Sequence, residues 1–243
     1  MTAVFVHGVP ETSLIWDPLI AELGPTDSVS LQLPGFGCPR PPDFEPTMNG
    51  YAQWLADQLS AIAGPIDLVT HDWGALLGMR VMARHPGLAR SWVTDMGDLN
   101  DDFEWHDTAR TWQTPGEGEA FMEGFVGASI ADRAALLVGL GIAEPTASLL
   151  SAEIDATMGE SILALYRSAV DIGREWGPCL DEIDAPTLIV EAVQDPFRNE
   201  DAISRFVERV GASSARFEEQ GHWWMVGDPA AAAAAIAAFW AAE

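Results

Sequence analysis

The chain contains no lysine; its twelve basic residues are all arginine, against 37 acidic residues, for a formal net charge of −25. Such a surface repels nucleic acid and anionic membranes, which excludes both as partners. The charge itself reads as a solubility feature, a composition bias or an adaptation to salt. Cysteine is equally scarce: Cys38 and Cys179 alone make no disulfide framework, so a reducing cytoplasm is the expected location. Long apolar runs are missing too. Segment 2–6 is too short for a secretory leader and has no basic flank. The alanine-rich tail from Pro229 to Trp240 falls short of the roughly 20 residues that span a bilayer. With Asp228 as a cap and Pro229 in the first turn, that tail reads as a terminal helix.

What is present is a chain of 243 residues, 48% apolar, enough for one large domain. Short β-rich runs at 3–6, 28–33, 66–70, 91–94, 187–193 and 214–218 alternate with helical patterns at 47–63, 73–85 and 200–210. That alternation predicts an α/β fold, a parallel sheet covered on both faces. From about 101 to 180 the pattern is helical without a strand, which reads as an inserted cap. The expected division is a core at 1–101 and 181–243 with a helical cap at 102–180.

The most informative segment is Thr70-His71-Asp72-Trp73-Gly74, running from strand into helix, with Gly78 one turn on. Small residues around such a turn let the middle side chain stand exposed at a helix N-terminus, where negative charge is stabilised. A plain helix-capping role for Asp72 is the simpler alternative.

Together with His7-Gly8-Val9-Pro10 and Gly221-His222-Trp223-Trp224, this segment resembles the epoxide hydrolases and haloalkane dehalogenases of the α/β-hydrolase superfamily. The resemblance runs in order along the whole chain. It implies Asp72 as nucleophile, His222 as the general base that activates water, and Asp195 as the acid orienting His222. Some dehalogenases take that acid from the preceding strand end, where Asp95 and Asp98 are the reserve candidates. The backbone N–H groups of Trp73 and Val9 are the expected oxyanion donors, and the Trp73 indole a candidate halide donor. Aspartate selects the chemistry: attack on an ester would give an anhydride, whereas attack at a saturated carbon gives an ordinary alkyl ester that water then cleaves.

The cap decides the leaving group. Tyr166 resembles the late cap tyrosine of epoxide hydrolases; ring packing alone is its alternative. Asp107 and Thr108 stand where that family has an earlier tyrosine, and Val9 where one dehalogenase group has a halide-binding asparagine. A cap tryptophan, Trp105, Trp112 or Trp176, is the substitute, and these three with His7 are the expected pocket residues, although His7 and Pro10 are expected to shape their loop rather than react; His106 is also in range, with surface or loop packing as its alternative. The resemblance also implies two strands before the one at 3–6, so this chain is expected to have a sheet of about six, with 28–33 at an edge. A bare edge favours a homodimer or a covering segment. The reading is a hydrolase acting through an alkyl-aspartyl ester on a small apolar organic substrate with water as co-substrate, epoxide opening ahead of haloalkane or haloacid dehalogenation, with no metal or cofactor. The rival of another class is a non-catalytic small-molecule receptor on the same fold, for which all three of Asp72, Asp195 and His222 would be unnecessary.

Overall fold

A computed structural model describes residues 1–24 and 26–243. Its sheet has six strands: β1 (Thr2–Val6), β2 (Ser28–Leu31), β3 (Ile66–Thr70), β4 (Ser91–Thr94), β5 (Thr187–Ala192) and β6 (Ser213–Phe217). The order is β2-β1-β3-β4-β5-β6 and every pair is parallel. Strands β1, β3 and β4 are buried throughout, as a sheet covered on both faces requires. β2 lies at an edge, as expected, but ends two residues early. There the Leu33 N–H leaves the ladder and donates to His7 Nε2 at 3.1 Å.

The helices divide between layers and insertion. α1 (Asp17–Leu23), α2 (Met48–Ala61) and α3 (Trp73–Arg84) alternate with the first strands. Between β4 and β5 come six helices and no strand among the described residues: α4 (Asp107–Gln113), α5 (Glu117–Gly127), α6 (Ile130–Leu140), α7 (Thr146–Glu153), α8 (Ala156–Ser168) and α9 (Ile172–Trp176). α10 (Glu200–Val210), α11 (Trp224–Gly227) and α12 (Pro229–Ala242) complete the chain. Asp228 caps α12 by accepting from the Ala231 N–H at 3.0 Å. Among the inserted helices, Arg133 is buried without a carboxylate partner among the described residues. It donates instead to the carbonyls of Val126, Ala128 and Ser151 at 2.6, 3.0 and 3.2 Å. One guanidinium thus joins the end of α5 to α6 and α7, a favourable place for a cation beside unpaired helix carbonyls.

Strand order reverses between β1 and β3: the chain leaves β1 for β2 on one side, then crosses back to β3 on the other. At such a switch point the loops beyond the strand ends part and leave a crevice. His7–Pro10 follows β1 and Asp72 follows β3, with Val6 and Thr70 in register. The turn is tight. Asp72 has φ +50° and ψ −119°, a conformation L-residues avoid. Its surroundings leave no room for side chains. A Cβ on Gly74 would lie 2.3 Å from the Val6 carbonyl oxygen, and one on Gly8 would lie 2.5 Å from Asp72 Oδ1. Thr70, in place of the usual glycine, fits because its hydroxyl is tied across the sheet. It donates to the Val93 carbonyl at 3.1 Å and accepts from the Trp92 indole at 2.9 Å.

Gly74→Ala should therefore lower stability by about 1–3 kcal/mol, a fall in Tm of roughly 2–12 °C for a chain of this size. Gly124→Ala, in α5 with open space around it, should leave Tm unchanged or raise it slightly. Thermal denaturation of the two variants tests whether the β1–α3 approach sets this limit.

Candidate active site

Three loop ends bring the site together. Asp72 stands before α3, Asp195 follows β5 and His222 follows β6. The two later loops are fastened to each other by the Gln194 N–H on the Gln220 carbonyl at 2.8 Å. His222 Nδ1 pairs with Asp195 Oδ2 at 2.8 Å, and its Nε2 lies 3.8 Å from Asp72 Oδ2. The other Asp195 oxygen accepts from the Phe197 N–H at 2.8 Å. Asp72 does not cap α3 with its side chain. Its Oδ1 instead accepts from the Val9 N–H at 2.8 Å, with the Trp73 N–H acting on the same carboxylate. Burial raises the Asp72 carboxyl above its ordinary value, while His222, His71 and the Trp73 N–H draw it back. Burial and the nearby His71 press His222 downward, but Asp195 and Asp72 outweigh them and its pKa lies above 6.5.

The reserve acids are engaged elsewhere. Asp95 pairs with His71 Nδ1 at 2.5 Å and also accepts from the Asp72 N–H and the Trp224 indole. Asp98 pairs with Arg209 at 2.9 Å. His71, on its other nitrogen, meets Glu11 at 3.2 Å, and Glu11 accepts from the Gly8 N–H and the Trp223 indole. A buried imidazole between two carboxylates thus lies directly behind Asp72, its ring centroid 4.5 Å from that of His222. Burial opposes its charge, yet Asp95 and Glu11 hold the His71 pKa well above 6.5. Burial likewise opposes the Glu11 charge, and His71 overrides it, down to about 2. Glu11, His71 and His222 are near enough to enclose a cation. Both nitrogens of His71 and Nδ1 of His222 are already engaged by carboxylates, so the cluster reads as a hydrogen-bond network. Nothing local in the sequence pairs positions 11, 71 and 95; only the strand order does.

A cavity of about 280 Å³ opens over Asp72 and His222. Val9, Pro10 and Trp223 form its core side; Trp112 and Tyr166 form part of its far wall. Three expected pocket residues, His7, Trp105 and Trp176, lie outside this lining. His7 is fully buried beneath the loop, with Nδ1 2.8 Å from the Gly8 carbonyl and Nε2 on the Leu33 N–H, and burial pushes it down to about 4. Trp105 stacks on Trp73 and gives its indole N–H to the Ala169 carbonyl. Trp176 packs away from the cavity, donating to Asn49 under the Arg80 guanidinium. Trp112 alone of the three tryptophans lines the cavity, and its buried indole N–H has no partner. Among the described residues Trp16, Trp73 and Trp240 share that lack, so its place in the cavity lining is what singles Trp112 out. Phe197 was not an expected site residue; its ring lies 5.1 Å from that of His222 and 4.6 Å from that of His106. A second cavity of about 250 Å³, behind Asp195, is lined by Asp95, Asp98 and Arg205 and touches neither Asp72 nor His222.

Tyr166 is boxed by Trp73, Trp105 and Trp112, with ring centroids 5.3, 5.1 and 4.7 Å away. Burial, and next the charge of Asp72, hold its hydroxyl well above 10. The Trp73 indole N–H faces that hydroxyl without forming a full hydrogen bond.

Comparison with known proteins places the chain by family and fold. A haloalkane dehalogenase of Mesorhizobium japonicum is 30% identical over 128 residues, 49% of this chain and 41% of that protein. The match therefore spans less than half the length of that relative. Among solved structures, haloalkane dehalogenase DbeA from Bradyrhizobium elkani superposes with a TM-score of 0.72 at 22% identity, covering 100% of this chain and 91% of that one. Cfl2 from Burkholderia cenocepacia gives 0.79 at 19%, covering 98% and 87%. At such identities the superpositions speak for the fold. The sequence model of the alpha/beta hydrolase family matches residues 3–235; the chain belongs to that family.

Proposed function

We propose that this hydrolase opens epoxides through a covalent ester on Asp72. The observation that carries the reading is Tyr166, which lines the cavity that holds Asp72 and whose hydroxyl lies within reach of the Asp72 charge. Asp72 Oδ2, the oxygen not held by Val9, attacks the epoxide carbon. The C–O bond breaks, and Tyr166 gives its proton to the departing oxygen. Before attack, the negative charge of Asp72 keeps that proton on the tyrosine. Ester formation consumes the charge, so Tyr166 becomes a stronger acid as the alkoxide forms. His222 Nε2 then takes a proton from water, which adds to the Asp72 carboxyl carbon. The oxyanion forms on Oδ1, between the N–H groups of Val9 and Trp73. Collapse frees the alcohol oxygen, which takes the proton from His222, and the proton left on the Asp72 carboxyl returns to the Tyr166 oxygen, restoring both groups.

Dehalogenation is the second reading. The unpartnered indole N–H of Trp112 in the same wall favours it, and a curated relative is a haloalkane dehalogenase. A halide needs only such donors and no proton.

Three outcomes are expected. His222→Gln should accumulate a substrate adduct on the peptide containing Asp72, read by mass spectrometry, and Asp72→Asn should form none; an unmodified Asp72 peptide in a turning-over mixture contradicts the ester route. Tyr166→Phe should slow diol formation from epoxides by about 10²–10³, and Trp112→Phe should slow bromide release from bromoalkanes far more than diol formation. Bromide release without diol formation from the wild type would favour the second reading. The third outcome concerns pH. His222 acts as a base only when neutral, so ester hydrolysis should fall as pH drops through its pKa. The Asp72 charge that helps raise that pKa is absent in the ester, so the acid limb of single-turnover hydrolysis should lie below the titration of His222 in the free protein, measured by NMR. A hydrolysis rate that rises toward acid contradicts the general-base role.

A further inference from the structure

The apolar cavity does not end at the reacting atoms. Phe121 and Phe125 of α5, with Leu136 and Leu140 of α6, continue its wall away from Asp72. Each pair is four residues apart, so each helix presents two apolar side chains on one face. Three of the four reach the surface: Phe121 is 39% exposed, Leu136 48% and Leu140 58%. Exposed apolar groups continuous with a cavity are a surface waiting for a ligand.

Charge narrows what that ligand is. Among the described residues, none of the twelve arginines lines the cavity, and the ionisable groups in its wall are Asp72, His106, Tyr166 and His222. Burial lowers the pKa of His106, so it offers no cation at neutral pH. A carboxylate brought into this wall would lose its water without gaining a counter-ion, after approaching a protein of net charge −25.

We infer that the substrate is a neutral, elongated molecule whose reactive carbon meets Asp72 and whose apolar tail leaves the cavity between α5 and α6, against Phe121, Leu136 and Leu140. The inference rests on the cavity being the chamber in which Asp72 reacts. It sets haloacids and fatty-acid-like epoxides apart from their uncharged counterparts, and makes Leu136 and Leu140 specificity residues that never touch the reacting atoms.

The test is a homologous series of terminal epoxides, from epoxybutane to epoxydecane, and the same series ending in a carboxylate. For the neutral series kcat/KM should rise by about two- to fourfold per methylene. The carboxylated decane should fall at least about tenfold below its neutral counterpart. The double substitution Leu136→Ser with Leu140→Ser should cut kcat/KM for epoxydecane about tenfold and leave epoxybutane within about twofold. A flat dependence on length, equal rates for the charged series, or equal losses on both epoxides in the double variant overturns the proposal. Binding of octanol and octanoate, read by quenching of tryptophan fluorescence, separates the tail site from the chemistry. Octanol binding that the double variant weakens, with no octanoate binding, supports the tail site even if no epoxide turns over, in which case it is the reaction that fails. Equal binding of the two, or octanol binding untouched in the double variant, overturns it.

Discussion

The carboxylate of Asp72 is held on a backbone that an L-residue avoids, and most of the site is arranged around that fact. The positive φ at Asp72 turns its side chain away from the α3 backbone that it would otherwise cap and toward the Val9 N–H. The strain is held in place from three directions. Gly8 and Gly74 let β1 and its loop come within contact of the turn, Thr70 ties the strand below to β4, and Asp95 accepts from the Asp72 N–H itself. Without those contacts the chain would relax into an ordinary helix start, and the carboxylate would point into solvent.

Electrostatics follow from the same placement. Asp72 is crowded by Glu11, Asp95 and Asp195, and the two histidines between them, His71 and His222, keep the carboxylates apart. They are not equivalent. His71 is enclosed by two carboxylates and keeps its charge, whereas His222 is hydrogen-bonded to Asp195 alone and turns its Nε2 toward Asp72. The charge of His71 bears down on His222 and draws it toward the neutral state.

Much of this was legible in the chain. The strand–helix alternation, the turn at Asp72 and the helical stretch after β4 all carry local patterns, because a strand-to-helix turn and a helix face are short-range features. The partner of His222 was legible as Asp195 only through the family resemblance, since Asp95 and Asp98 also follow a strand end; the structure pairs His222 with Asp195. The Glu11–His71–Asp95 array was not, since its members come together only through the order of β1, β3 and β4. The tryptophans were illegible for another reason. Ten of them occur in the chain, and what separates Trp112 from Trp105 and Trp176 is where each indole N–H points, which composition and spacing do not encode. His7 was legible as a residue that shapes its loop, but not its distance from the cavity, because a histidine beside a site looks alike whether its ring faces the cavity or, as here, pins β2 to the loop below.

Arg133 bears on how this protein can change. It binds only backbone carbonyls, which every residue type supplies, so its own share in joining α5, α6 and α7 is indifferent to the side chains around it. Four residues of the cavity wall, Phe121, Phe125, Leu136 and Leu140, lie on two of those helices. Phe121 packs on Trp112 and Trp112 on Tyr166 beside Trp73, so a run of aromatic contacts ties one side of the rim to the Asp72 turn. Leu136 and Leu140 stand half-exposed on the other side. Such an arrangement divides evolvability along the rim: α6 is free to vary at its exposed leucines, while the aromatic side is bound to the strained turn.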